Sequence, residues 1–109
     1  MKKTSNYSVA LVTVPSVKIG RAIAQAALKA RLAACVNITP IVESHYWWQG
    51  KIEKSQEALL MFKTVQSQLA GLEKLVVKKH PYDTPEFLVL PVTGGSKKYL
   101  AWLKSGVKK

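Results

Sequence analysis

Residues 34–64 read ACVNITPIVESHYWWQGKIEKSQEALLMFKT, and the fold turns on this stretch. From Ala34 to Trp48 the chain is rich in β-branched and aromatic residues, which suit a pleated, half-buried surface. Gln49-Gly50 then supplies a two-residue turn, because glycine reaches positive φ without steric cost. Lys51 to Thr64 runs back, polar at first and densely apolar through Ala58-Leu59-Leu60-Met61-Phe62. The two arms therefore form one predicted hairpin. Pro40 cannot donate to a ladder, so it marks a bulge or an edge position. Both arms exceed the usual length of about five or six residues, so the hairpin is expected to project beyond its own sheet.

Working outward, Tyr7 to Val14 is β-branched or apolar on both faces, as in a strand covered on both sides, and Pro15-Ser16 stops it. Ser16 can cap a helix in which Ile19, Ala22, Ile23, Ala26, Ala27 and Ala30 recur at helical spacing. Leu69, Leu72, Leu75, Val76 and Lys79 mark a second amphipathic helix, which His80-Pro81 ends because the residue before proline avoids helical geometry. Glu86 to Val92 makes a last strand. After Gly94-Gly95, Ser96 can cap a short helix carrying Tyr99, Leu100, Trp102 and Leu103. The order β-α-β-β-α-β plus a helix is α+β and ferredoxin-like. Residues 1–6 are expected to be a flexible N-terminus, 7–104 the domain, and 105–109 a basic tail.

At 109 residues and 48 % hydrophobic content the chain has the size of one domain. A core this small gains from association with copies of itself. The formal charge of +11 resembles a nucleic-acid signature. However, Lys2, Lys3, Lys108 and Lys109 sit at the ends, and the remaining basic residues form no run longer than a pair. That dispersion fits a solvated surface and no specific nucleic-acid partner. Cys35 is the only cysteine, so an intrachain disulfide and a Cys-x-x-Cys motif are both excluded, and a reducing, cytoplasmic compartment is expected. No stretch approaches the roughly 20 apolar residues of a membrane span, so no direct membrane insertion is expected.

Arg31-Leu32-Ala33-Ala34-Cys35-Val36-Asn37 resembles the signature of the CutA divalent-cation tolerance family. Tyr46-Trp47-Trp48-Gln49-Gly50-Lys51-Ile52 is similar to that family's hairpin, and Lys63-Thr64 to its Lys-Thr at the end of the third strand. His80-Pro81-Tyr82, Pro85-Glu86, Leu90-Pro91 and Tyr99-Leu100-x-Trp102 extend the likeness over roughly residues 7 to 104. The resemblance implies a ferredoxin-like subunit in a tight homotrimer whose long hairpins add strands to neighbouring sheets, removing exposed edges. It further implies tolerance of copper and other divalent ions, no catalysis, and a fold similar to PII signalling proteins, hence ligand sensing.

The metal site of copper-binding relatives draws on a first-strand cysteine and a His-His pair before Pro-Tyr. The matching positions here are Val12 and Lys79-His80. Val12 cannot ligate and Lys79 repels a cation, so His80 is left as the one candidate metal ligand, better suited to a structural or ligand-contacting role. No cofactor is required on this reading, and copper or another divalent cation is the one candidate. Cys35, in an apolar strand, is expected to be a buried, inert thiol. His45 is expected to be a packing or surface residue without a carboxylate partner. The dense aromatic set Tyr46, Trp47, Trp48, Tyr82, Tyr99 and Trp102 fits interface packing. A second reading has Trp48, Tyr82 and Trp102 line an inter-subunit cleft for a small-molecule or metal-ion ligand. Lys63, Thr64, His80 and Glu86 would be its polar members.

Two other function classes share this layout. An acylphosphatase-like hydrolase needs a glycine-rich phosphate loop after its first strand, and Val14-Pro15-Ser16-Val17 has no glycine. An RNA-binding module exposes aromatics on its central strands, and the third strand offers Ala58-Leu59-Leu60-Met61-Phe62 instead.

Overall fold

The computed structural model describes residues 1–108. Its elements are β1 (Lys2–Val14), α1 (Val17–Lys29), β2 (Cys35–Trp48), β3 (Lys51–Val65), α2 (Leu69–Lys79), β4 (Leu88–Gly95) and α3 (Lys97–Gly106). The strands form one antiparallel sheet in the order β2-β3-β1-β4. Ser16 and Ser96 cap α1 and α3 as the sequence predicts, each hydroxyl accepting from the backbone N–H three residues on.

Strand alternation assigns the two faces of the sheet. Ala10, Val12 and Val14 of β1 and Ala58, Leu60 and Phe62 of β3 bury themselves against Ile23 and Ala27 of α1 and Leu72 and Val76 of α2. The alternate residues point the other way. Register pairs Val9 with Lys63 and Leu90, and Leu11 with Met61 and Leu88. Only one end of this second face is covered, where Leu100 and Leu103 of α3 pack with Val107 on Tyr7 and Val65. Among the described residues nothing forms a layer over the rest, an apolar sheet face from Val9 and Leu11 to Leu88 and Leu90.

The hairpin projects as expected. Among the described residues β1 pairs with β3 only over Ala58–Val65, so Lys51–Glu57 have β2 as their sole strand partner. These seven residues make an arm about 24 Å long at roughly 3.4 Å per residue. The molecule is accordingly extended, 44 × 26 × 22 Å with a radius of gyration of 14.5 Å, against about 13 Å for a compact chain of this length. Gln49 and Gly50 have φ of 51° and 78°, the double positive φ of a hairpin turn whose twist matches its strands. At Pro40 the register slips between Thr39↔Leu59 and Val42↔Glu57. β2 is also the edge strand, so Pro40 meets both conditions that excuse its missing N–H.

Four boundaries differ from the sequence pattern. β1 begins at Lys2, so the segment 1–6 expected to be flexible is strand: Lys2 and Lys3 pair with Gly95 and Gly94 across a bulge. Ladder hydrogen bonds belong to the backbone and need no apolar side chains. For the same reason β4 runs on through Gly94-Gly95 rather than ending at Val92. A Cβ at Gly94 would lie 3.1 Å from the Lys2 carbonyl oxygen, so a side chain there would crowd the pairing. β4 also starts at Leu88, not Glu86. The expected tail is docked as far as it is described: Val107 is buried, and the Lys108 N–H donates to the Arg31 carbonyl at 2.8 Å. Lys109 lies outside the described residues.

Candidate functional site

The seven residues proposed for a cleft do not converge within one chain. Trp48, Tyr82 and Glu86 line a cavity of about 840 Å³ between the base of the arm and the loop after α2, together with Tyr46, Glu57 and Asp83. Lys63 and Trp102 lie elsewhere: the Lys63 ammonium sits 5.6 Å above the Tyr99 ring, which is 5.4 Å from Trp102. Thr64 belongs to neither group. It is adjacent to Lys63 and so faces the opposite side of the sheet, where its buried hydroxyl donates to the Leu32 carbonyl at 2.7 Å.

The first group is organised by His80. The residue is only 7 % exposed. Nε2 lies 2.7 Å from the Thr13 carbonyl oxygen, which can only accept. Nδ1 lies 3.1 Å from the Tyr82 N–H, which can only donate. These partners assign the Nε2–H tautomer and engage both nitrogens, so the lone pair a metal would need is already in use. His80 ties the segment after α2 to β1, and its ring packs 4.7 Å from that of Tyr82. Tyr82 in turn donates its hydroxyl to Glu57 Oε2 at 3.0 Å.

Sequence reasoning missed Glu57, the centre of this group. It is 8 % exposed, an extreme burial for a carboxylate. The signal was present: Glu57 is the last polar residue before Ala58-Leu59-Leu60, and its parity with Leu59 and Met61 puts it on the uncovered face. Its charge acts on its neighbours. Burial, the hydrogen bond to Glu57 and the Glu57 charge push the Tyr82 hydroxyl up to about 12. Burial, then the Glu57 charge, raise Glu86 above its ordinary 4.5.

A raised carboxyl means that the folded chain keeps a proton at pH values where the unfolded chain has lost it. The favourable contribution is then full below pH 4.5 and lost as pH rises through the raised value. Glu86→Gln is therefore expected to melt above the parent protein at pH 7, with the gap closing at pH 4. Thermal melts at both pH values check this, and an equal gap at both would assign it to packing instead.

Two further residues differ from expectation. Cys35 is half-buried at the edge of the sheet rather than enclosed, because β2 has no neighbour on that side. His45 does have a carboxylate partner, Glu43 Oε2 at 2.8 Å, since residues two apart on a strand share a face. Among the described residues no three His, Cys, Asp or Glu side chains gather closely enough to hold a metal ion, and no helix is long and apolar enough to cross a membrane. The uncovered face of the central strands carries Val9, Leu11, Leu59 and Met61, aliphatic where an RNA-binding sheet would be aromatic.

Comparison with known proteins agrees with the motifs. Residues 8–106 match the family model described as CutA1 divalent ion tolerance protein. The chain is 47 % identical over 106 residues to "Protein CutA, chloroplastic" of Arabidopsis thaliana, covering 97 % of this chain but 58 % of the plant protein. To the divalent-cation tolerance protein CutA of Thermus thermophilus it is 46 % identical over 96 residues, which is 88 % of this chain and 93 % of that one. The crystal structure of CutA1 from Oryza sativa superposes with a TM-score of 0.93 at 44 % identity, covering 97 % of each chain. The identity and the coverage of nearly the whole domain leave one conclusion: this chain belongs to the CutA1 divalent ion tolerance protein family.

Proposed function

We propose that the chain is one subunit of a homotrimer that binds a small ligand or a metal ion in clefts between its copies, serving tolerance to divalent ions such as copper without catalysis. The observation that supports this reading is the division of the candidate cleft into two groups on one sheet face. Glu57 and Lys63 lie on the same side of β3, six residues and about 20 Å apart at roughly 3.4 Å per residue. The carboxylate group at one end and the Lys63–Tyr99–Trp102 group at the other meet only if one copy's arm reaches the far end of another's sheet. The uncovered apolar face between them offers the surface on which such copies would pack.

The sheet order β2-β3-β1-β4 with two crossover helices supports the ferredoxin-like reading and, with it, the likeness to PII-type sensors. A cytoplasmic placement goes with the single free thiol, although the Arabidopsis relative is named chloroplastic. Sedimentation at micromolar concentration is expected to give about 36 kDa, three times 12.1 kDa. A species of 12.1 kDa under those conditions would overturn the assembly and with it the shared cleft.

A further inference from the structure

The cavity beneath the arm has a composition unlike the rest of the chain. The protein has 17 Lys and Arg against six Asp and Glu. Three of those six acids, Glu57, Asp83 and Glu86, line this cavity, and no Lys or Arg lines it among the described residues. Its walls are aromatic, from Tyr46, Trp48 and Tyr82.

Glu57 is more than nine-tenths buried and faces this space. Among the described residues its carboxylate accepts one hydrogen bond, from the Tyr82 hydroxyl to Oε2. Within one chain no cation pairs with it, since His45–Glu43 is the sole ion pair among the described residues and the Lys63 ammonium sits over the Tyr99 ring. A buried carboxylate without a counter-charge is costly, and its charge adds to the effect of burial in raising its neighbours Tyr82 and Glu86.

Two kinds of cation would relieve it. A divalent metal demands several oxygens at short, fixed distances, and the described acids are not gathered in that way. A diffuse organic cation needs one counter-charge and the faces of aromatic rings, which attract it through their quadrupoles. A volume of about 840 Å³ is within the roughly 300–1,000 Å³ of small-molecule sites. We infer that this cavity binds an organic cation, an ammonium or guanidinium group seated against Trp48, Tyr46 and Tyr82 with Glu57 as its counter-ion. The inference rests on the ligand-binding reading above and names the chemistry of one half of that cleft.

The test is calorimetry and tryptophan fluorescence on the full chain with tetramethylammonium, 1,4-diaminobutane and arginine amide as probes, and with magnesium and copper(II) alone as separate arms. Saturable binding of at least one organic cation is expected at one site per chain. It should weaken at least tenfold in Glu57→Gln and in Trp48→Leu and stay unchanged in Lys29→Ala, an exposed residue at the end of α1. Trp48 is half exposed, so its replacement keeps the test valid if Glu57→Gln fails to fold. Sedimentation of the same samples separates the two readings. A trimer that binds none of the organic probes overturns the inference alone, whether because a neighbouring side chain fills the cavity or because only metal binds. A monomer that binds none overturns both readings. A monomer that binds an organic cation with the expected losses upholds the inference and removes the assembly.

Discussion

Leu88→Lys is expected to turn the proposed trimer into single chains, seen as a fall in sedimenting mass to 12.1 kDa. In one chain Leu88 is 57 % exposed, and a substitution at such a position normally changes stability by no more than about 0.5 kcal/mol. Its neighbours make the position different. Leu88 pairs with Leu11, which pairs with Met61, and Val9 and Leu90 continue the same surface. If copies pack here, each lysine is buried in an apolar interface without a partner, and an uncompensated buried charge costs about 3–5 kcal/mol. Three copies carry that penalty together, so association is lost rather than weakened. Val77→Lys supplies the comparison: Val77 is 50 % exposed but lies on α2, on the opposite side of the sheet, and should leave the mass unchanged. If Leu88→Lys sediments like the parent protein, the uncovered face is not the contact between copies.

The projecting arm was legible because every cue for it is local. Gln49-Gly50 sets the turn, alternation sets the faces, and Pro40 sets the slip in register. The helix starts at Ser16 and Ser96 were legible for the same reason, as a cap needs only its own hydroxyl and the N–H three residues on. The site was less so, because its bonds join residues far apart in sequence. Tyr82 meets Glu57 from 25 residues away and His80 meets Thr13 from 67, and no periodicity encodes either pair. Placing Lys63 and Thr64 in one cleft took two sequence neighbours as spatial ones. A strand separates them to opposite faces. The strand ends were misjudged where polar residues pair through backbone alone, at Lys2-Lys3 and Gly94-Gly95.

His80 is where the metal and structural readings of this family diverge in this chain, and removing it should be felt in stability rather than in copper binding. Both ring nitrogens are bonded inside the fold, to the Thr13 carbonyl and the Tyr82 N–H. His80→Ala leaves those two groups without partners beside a space the size of an imidazole. Lost hydrogen bonds and an unfilled cavity together are expected to cost about 2–4 kcal/mol. The segment from Pro81 to Phe87 would lose its anchor to β1 and, with it, the geometry that brings Tyr82 to Glu57. His80→Gln is the informative companion, since its side-chain amide can still donate to the Thr13 carbonyl. It should recover part of the lost stability though it offers no imidazole to a metal. Copper(II) prefers several converging nitrogen ligands. With one histidine engaged on both nitrogens and Val12 and Lys79 where ligands would be needed, the parent protein should bind the ion no more tightly than an exposed imidazole does. Titration calorimetry should therefore give the same weak copper isotherm for the parent, His80→Ala and His80→Gln, while thermal melts separate all three. A stoichiometric submicromolar site that both substitutions abolish would mean that His80 releases Thr13 or Tyr82 to take the metal, and that its role is ligation.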